Sequence, residues 1–532
     1  MLQGRENIKF SNNIFISLYI LISAVLILIA VTNTFIKPLG IYDEGFSLTN
    51  ALRILQGDTP HLDYWAAYPP GTSLILAMAF NFFEPTLLIA RLVNLSWTIF
   101  ILSGFYILLR QFASILLSLT ATVIASFWLS AALYPSYSVT PALALIFTAL
   151  AFFIKGIDLN SQKMSGIGGL IAGCIVLFRH DFAGYLFLSI SLGLIMTLFS
   201  KYADTTKSTS TQNTLFFLAS FLATTLVIIF TLLSYSGWNH FIQQAIVFPA
   251  TGMRENRLLP YPGLLDFFGA SKGQWLLAWL VPIIILVGIF NKWFARANQG
   301  FCISIATYTL AVMSLLLTLQ AHNRLDMPHA APSMIFALSF LVVLASIKPQ
   351  FSPRLYRATS LGLIGLLFIY SIFVTTDHRH INYSAIFVCA RDHLAQPCMK
   401  ADKNQIEIVE FINKNYQPTD YIFVGNTRHD KIFINDASLY FLLKKPMPIK
   451  WNEMHPGIVT TKDVQENIIK NLDEKKVNVI VIVAMPQSNE NNASAVSSGV
   501  FALDEHIRNH YRKVFSTGNY VVLERSSTLL SK

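Results

Sequence analysis

The chain has 532 residues, of which 54% are apolar and only 13% charged, and its net charge is +10. That balance excludes a soluble globular enzyme and predicts an integral membrane protein, because apolar runs of about 20 residues, enough to cross a ~30 Å hydrocarbon core, recur through the first three quarters of the chain and then stop. No basic patch interleaves with aromatics on a soluble face, which excludes nucleic-acid binding.

A short basic lead carrying Arg5 and Lys9 precedes an uncharged span near 14–36. The run exceeds a signal-peptide core and no small-residue cleavage site closes it, so it reads as a retained span. Basic residues before it place the N-terminus in the cytoplasm and the following loop, 37–70, on the outer face.

That loop holds Tyr42-Asp43-Glu44-Gly45 and Tyr68-Pro69-Pro70-Gly71. Two adjacent carboxylates beside a bilayer call for water, a partner or a substrate. Asp43 capping a helix that starts at Glu44 explains the pair as well. The apolar segment Gly71–Phe83 is too short to span and suits a re-entrant or interfacial helix.

Further spans near 86–109, 112–133, 137–154, 165–178, 182–199, 213–234, 275–291, 300–318, 333–347 and 358–375 bring the expected number to about eleven. With that parity the basic short loops fall inside: Lys155 and Lys163, Lys201 and Lys207, Lys292 and Arg296, then Lys348, Arg354 and Arg357. The outer connections are the polar ones. They include Ser136, Arg179-His180-Asp181, the long segment 235–273, and 320–332 with Arg324-Leu325-Asp326-Met327-Pro328. The segment 235–273 mixes Trp238, Phe241, Ile242 and Phe248 with Arg254, Glu255 and Arg257, and is broken by Pro249, Pro260 and Pro262. It reads as a lid or as an interfacial anchor.

No GxxxxGK[ST] or Asp-x-Asp motif occurs in the chain, so cytosolic nucleotide donors are not expected. His61 and His329 belong to no ligand-spaced cluster, and neither a transition metal nor another cofactor is expected.

Beyond Thr376 the chain turns polar and predicts a small, mostly parallel α/β domain: helices over 403–415, 437–443 and 464–474, strands over 421–424, 477–484 and 520–523. Gly425-Asn426-Thr427-Arg428-His429-Asp430 after the first strand lacks a phosphate-cradling glycine pattern and reads as a structural turn. Cys174 and Cys302 fall within spans. Cys389 and Cys398 lie in the polar stretch at a spacing that a loop closes into a disulfide in an oxidising compartment.

Asp43-Glu44 after the first span, Tyr68-Pro69-Pro70 opening a short apolar helix, and Ala90-Arg91-Leu92 entering the next span together resemble the GT-C superfamily. The likeness is closest to its protein mannosyltransferase-like and aminoarabinose transferase-like branch, with weaker agreement at Tyr134-Pro135-Ser136-Tyr137 and 324–328. The resemblance implies a polytopic α-helical fold over 1–376 with an extracytoplasmic α/β domain over 377–532. It implies a glycosyltransferase that uses a polyprenyl-phosphate sugar, with Asp43 as catalytic base and Glu44 beside it, inverting at the anomeric carbon. The acceptor would be a lipid, a glycan or a protein, and the protein would sit multi-pass in the inner membrane among its lipids.

Such chemistry needs a carboxylate to deprotonate the acceptor and cations to receive the phosphate. Arginine, with its planar fork, suits phosphate best. The candidates are Arg324, ranked first, then Arg179, Arg254 and Arg257, with Tyr42, Tyr68, Pro69, Pro70 and Asp326 along the substrate loops. Arg324 pairing with Asp326 or snorkelling to headgroups, and Arg179-His180-Asp181 serving as a plain turn, are the structural alternatives. A lipid-linked sugar transporter or flippase would show mid-membrane polar groups and an internal repeat, and the chain shows neither. A non-catalytic envelope assembly protein has no use for Asp43-Glu44 beside Tyr68-Pro69-Pro70.

Overall fold

The computed structural model describes residues 2–132, 135–199, 207–268, 272–294, 300–347, 352–376, 401–431, 434–454, 457–485 and 488–526. Cys389 and Cys398, with their expected disulfide, lie outside the described residues. The protein is a polytopic α-helical membrane protein with a small C-terminal sheet.

Among the described residues nine helices are long and apolar enough to cross a membrane. The membrane part runs α1 (Leu2–Ile36), α2 (Asp43–Leu55), α3 (Gly71–Phe82), α4 (Leu87–Arg110), α5 (Ile115–Ala132), α6 (Val139–Asp158), α7 (Gln162–Gly173), α8 (His180–Phe199) and α9 (Lys207–Ser236). Short pieces follow: α10 (Trp238–Phe241), a π-helix (Ile242–Val247), α11 (Phe248–Ala250) and α12 (Gly252–Arg257). Then come α13 (Lys272–Phe294), α14 (Phe301–Ala321), α15 (Met327–Ala345) and α16 (Pro353–Thr376). Two of the eleven expected spans fall outside the nine. One is 165–178, seen as α7 and a single 3₁₀ turn, Cys174–Leu177; the other is 358–375, seen as the 24-residue α16.

Side-chain caps start several of these helices at the expected loop edges. Thr86 accepts from the Ile89 amide to begin α4, and Asp326 accepts from the His329 amide to begin α15. Arg110, in the last turn of α4, meets the negative end of the helix dipole. The core of the bundle is aromatic: Phe147 of α6 meets Phe105 of α4 edge-on at 5.2 Å and stacks on Phe336 of α15 at 4.8 Å.

The C-terminal part runs α17 (Lys403–Asn415), β1 (Ile422–Asn426), α18 (Ser438–Leu443), α19 (Lys462–Glu474), β2 (Val479–Val483), α20 (Ala502–His510), β3 (Tyr511–Thr517) and β4 (Tyr520–Arg525). The strand order is β1-β2-β4-β3, and only β1 and β2 pair in parallel. The expected mostly parallel sheet is therefore mixed. Gly518-Asn519 joins β3 to β4 as a two-residue hairpin, with Gly518 at φ +49°, and β3 is a largely exposed edge strand whose polar residues hide it in the sequence.

Helix α2 lies between the membrane helices and this C-terminal part. Leu48, Ala51 and Leu52 share one apolar cluster with Leu76 and Phe80 of α3, Ala90 of α4 and Phe441 of α18. Thr49 donates to the Ala437 carbonyl at 2.8 Å, Arg53 donates to the Ile449 carbonyl at 2.9 Å, and the Asn452 amide donates to Asn50 at 2.6 Å. Gly45 permits this approach, since a Cβ there would stand 2.6 Å from the Ser438 backbone nitrogen. Gly45→Ala is expected to wedge α2 from α18 and destabilise the protein by about 1–3 kcal/mol, as overpacking does. Thermal unfolding of the purified protein checks this; an unchanged midpoint would refute the close-packed contact.

Candidate functional site

Asp43 opens α2, with Tyr42 in the capping position at φ −110° and no side-chain cap. The helix thus starts one residue earlier than the capping alternative requires, and Asp43 stands in its first turn, where the helix dipole favours a carboxylate. Asp43, Ser47 and Asn50 follow the i, i+4, i+7 spacing that lines one helix face. Asp43 is half-buried, and its charge is felt by Tyr42, Tyr68 and Tyr137. Burial pushes all three phenols above the ordinary tyrosine range, with that carboxylate adding a smaller push in the same direction.

Glu44 points elsewhere. It is fully buried, and its Oε2 accepts from the Gly40 amide at 2.8 Å and from Arg91 at 2.9 Å. Arg91, also fully buried, donates in addition to the carbonyls of Thr34 at 3.0 Å, Lys37 at 2.9 Å and Pro38 at 3.1 Å. One guanidinium from α4 therefore collects the end of α1, the intervening turn and the start of α2. One turn on in α4, Asn94 accepts from the Ser136 amide at 3.2 Å, while Ser47 donates to the Ser136 carbonyl at 2.9 Å.

Ser136 is held at φ +58°, a conformation a serine adopts under constraint. Its hydroxyl and those of Ser138 and Thr140 are buried without a hydrogen-bond partner. Ser138 and Thr140 were not foreseen; Ser136 was singled out in the sequence as a polar outer connection and within Tyr134-Pro135-Ser136-Tyr137, without a role at the site.

Tyr68-Pro69-Pro70 enters α3 at Gly71, where a Cβ would lie 2.4 Å from the Leu177 carbonyl oxygen. This contact brings Tyr68 to the turn at Arg179, whose guanidinium sits 4.9 Å from the Tyr68 ring and 4.6 Å from that of Phe182. Arg179 grips Asp181 in bidentate fashion at 2.8 and 2.5 Å and is only 3% exposed, yet its Nη1 is buried with no partner. The guanidinium thus keeps one N–H-bearing nitrogen without a partner beside the Tyr68 ring.

Arg324 stands differently. Its guanidinium takes Glu490 in bidentate fashion at 3.1 and 2.7 Å and Asp326 at 3.1 Å, while Asp326 also meets His329 Nδ1 at 2.5 Å. It latches the α14–α15 connection to the C-terminal part. Arg257 of α12 is half-buried and its charge reaches Tyr42, whereas Arg254 is exposed. Glu453, buried in the C-terminal part, was also missed: its charge reaches Tyr42 and Tyr68, and its neighbour Asn452 docks on Asn50.

In the turn at 425–430, His429 accepts from the Asn426 amide at 3.1 Å and meets Asp504 of α20 at 2.7 Å, while Arg428 holds Asp430 at 2.7 Å. Among the described residues no three His, Cys, Asp or Glu side chains gather as a metal-binding group.

Removing one partner of a buried ion pair strands the other charge. Arg91→Ala is thus expected to destabilise by about 3–5 kcal/mol. Arg324→Ala, at a partly exposed latch, should lower stability by roughly 1 kcal/mol or less. Paired thermal-unfolding curves check the order; equal shifts would show that Arg91 does not anchor the turn.

No family model matches the sequence, and no curated protein matches it. Among solved structures, ArnT from Cupriavidus metallidurans in the apo state aligns with a TM-score of 0.52 over 98% of this chain and 99% of that one, at 12% identity. AglB, the oligosaccharyltransferase of Archaeoglobus fulgidus, aligns with a TM-score of 0.50 over 96% of this chain and 74% of that one, also at 12% identity. The chain shares its overall fold with these two structures.

Proposed function

We propose that this chain is a glycosyltransferase that moves a sugar from a polyprenyl-phosphate donor to an acceptor hydroxyl, working at the outer face of the inner membrane. Asp43 acts as general base and the anomeric carbon inverts. The observation that carries the reading is the pairing of opposite functions across one cluster: a carboxylate at the start of α2 and, beyond Tyr68, a buried arginine with an open donor. The fold agrees with it, and AglB was solved with an inhibitory peptide and a dolichol-phosphate.

In this reading the acceptor O–H gives its proton to Asp43 while its oxygen bonds to the anomeric carbon. The bond from that carbon to the phosphate oxygen breaks on the opposite face, and the polyprenyl phosphate leaves with the electron pair. Arg179 receives the phosphate, with the tyrosine hydroxyls of the cluster as neutral donors. It takes precedence over Arg324 because Asp181 leaves its Nη1 without a partner, whereas Glu490 and Asp326 together engage all three guanidinium nitrogens of Arg324. Glu44 contributes by holding the turn that carries Asp43. The positive-inside pattern supports an outer C-terminal part covering the site, where Cys389 and Cys398 would be joined. The acceptor is a lipid, a glycan or a protein.

Asp43→Asn preserves shape but cannot take a proton, so transfer by purified, reconstituted protein should fall by the ~10²–10⁴-fold typical of general-base loss, with donor binding intact. Arg179→Ala should weaken donor binding, and Arg324→Ala should leave the chemical step within a few-fold of wild type. Wild-type turnover by a normally expressed Asp43→Asn variant would sink the assignment.

A further inference from the structure

We propose that Gln244, on the π-helix Ile242–Val247, is a positioning residue that sets the Tyr68-Pro69-Pro70 segment by clasping the loop before it. The carboxamide of Gln244 makes two hydrogen bonds to that loop: Nε2 donates to the His61 carbonyl at 2.8 Å, and Oε1 accepts from the Ala66 amide at 3.1 Å. Gln244 is 6% exposed and Ala66 also 6%, so water does not substitute readily for either bond.

Three independent features converge on this clasp. His61 is held at φ +64°, a conformation that needs a restraint, and it is fully buried with its ring 4.9 Å from Phe241, edge-on. Burial lowers its imidazole to about 4, so the ring is neutral and brings no charge to the loop. The helix carrying Gln244 is wound as a π-helix over Ile242–Val247, a form that is rare and concentrates at functional positions because it re-aims side chains. Trp65, next to the clasped amide, is pinned twice more, by its own amide donating to the Lys450 carbonyl at 3.0 Å and by Phe248 edge-on at 5.1 Å.

Tyr68 stands two residues past Ala66, beneath Arg179. The clasp therefore fixes the approach of the chain to the aromatic that faces the proposed phosphate ligand. Gln244 touches neither Asp43 nor Arg179 through any hydrogen bond of its own, so it acts through the loop.

The test has a structural arm and an activity arm, the latter resting on the transferase reading. Hydrogen–deuterium exchange of the full chain in micelles should show the peptide spanning 61–67 exchanging about tenfold faster in Gln244→Leu than in wild type, with the 479–483 strand unchanged. In the same protein, transfer from a polyprenyl-phosphate sugar should lose about tenfold or more in kcat, with donor KM within about threefold, since a loop misplaced by about 1 Å impairs chemistry more than capture. Gln244→Asn keeps both the donor and the acceptor on a side chain one methylene too short to reach both partners, and an intermediate loss on both readouts is expected. It also serves if Gln244→Leu does not fold. Unchanged exchange at 61–67, or lost protection with intact kcat, overturns the proposal. If the wild type transfers nothing, the transferase reading fails while the exchange arm still decides whether Gln244 holds the loop.

Discussion

The arrangement depends on one buried ion pair. Arg91 and Glu44 meet at 2.9 Å with neither side chain exposed, and the guanidinium also donates to the Thr34 carbonyl at the end of α1 and to the Lys37 and Pro38 carbonyls in the turn that follows. Charges out of water are tolerated when geometry and additional hydrogen bonds compensate for desolvation, and here the compensation is the turn itself. Because Glu44 is consumed in this way, Asp43 next to it is the carboxylate that the helix start presents toward Tyr68 and Tyr137.

From that anchor the rest of the site is assembled by short-range contact. Asn94, a turn along α4 from Arg91, carries Ser136; α2 carries Asn452 and with it Glu453; Gly71 lets α3 touch Leu177 and so brings Tyr68 under Arg179. The membrane part and the C-terminal part are one packed body around the first loop. Trp65 and Ala67 belong to the same apolar cluster as Phe423, Ile480 and Ile482 of the sheet.

The helical membrane class, the short α3 and the positions of α17, β1 and β2 were legible because each rests on local composition or periodicity. The mixed sheet was not: β3 is an edge strand whose exposed Arg512, Lys513 and Val514 carry no burial pattern, and its partner is set by the hairpin turn. At the site, the polar character that sets the Asp43-Glu44 and Tyr68-Pro69-Pro70 stretches apart from their apolar flanks was legible. The division of labour within them was not, because it depends on partners far along the chain. Arg91 lies 47 positions from Glu44, and Glu490 lies 166 from Arg324. Arg179 and Arg324 look equivalent as residues, and only the second has its guanidinium filled by a carboxylate from the C-terminal part.

The two ionic ties at α2 and at α15 differ in how they feel the solvent. The Arg91–Glu44 pair has no exposed surface, whereas Arg324 and Glu490 keep 26% and 31% of their side chains in contact with solvent. Mobile ions screen exposed charges over about 8 Å at physiological ionic strength and reach buried ones far less. Rising salt thus loosens the rim, where the C-terminal part meets the α14–α15 connection, while the floor beneath Asp43 keeps its geometry.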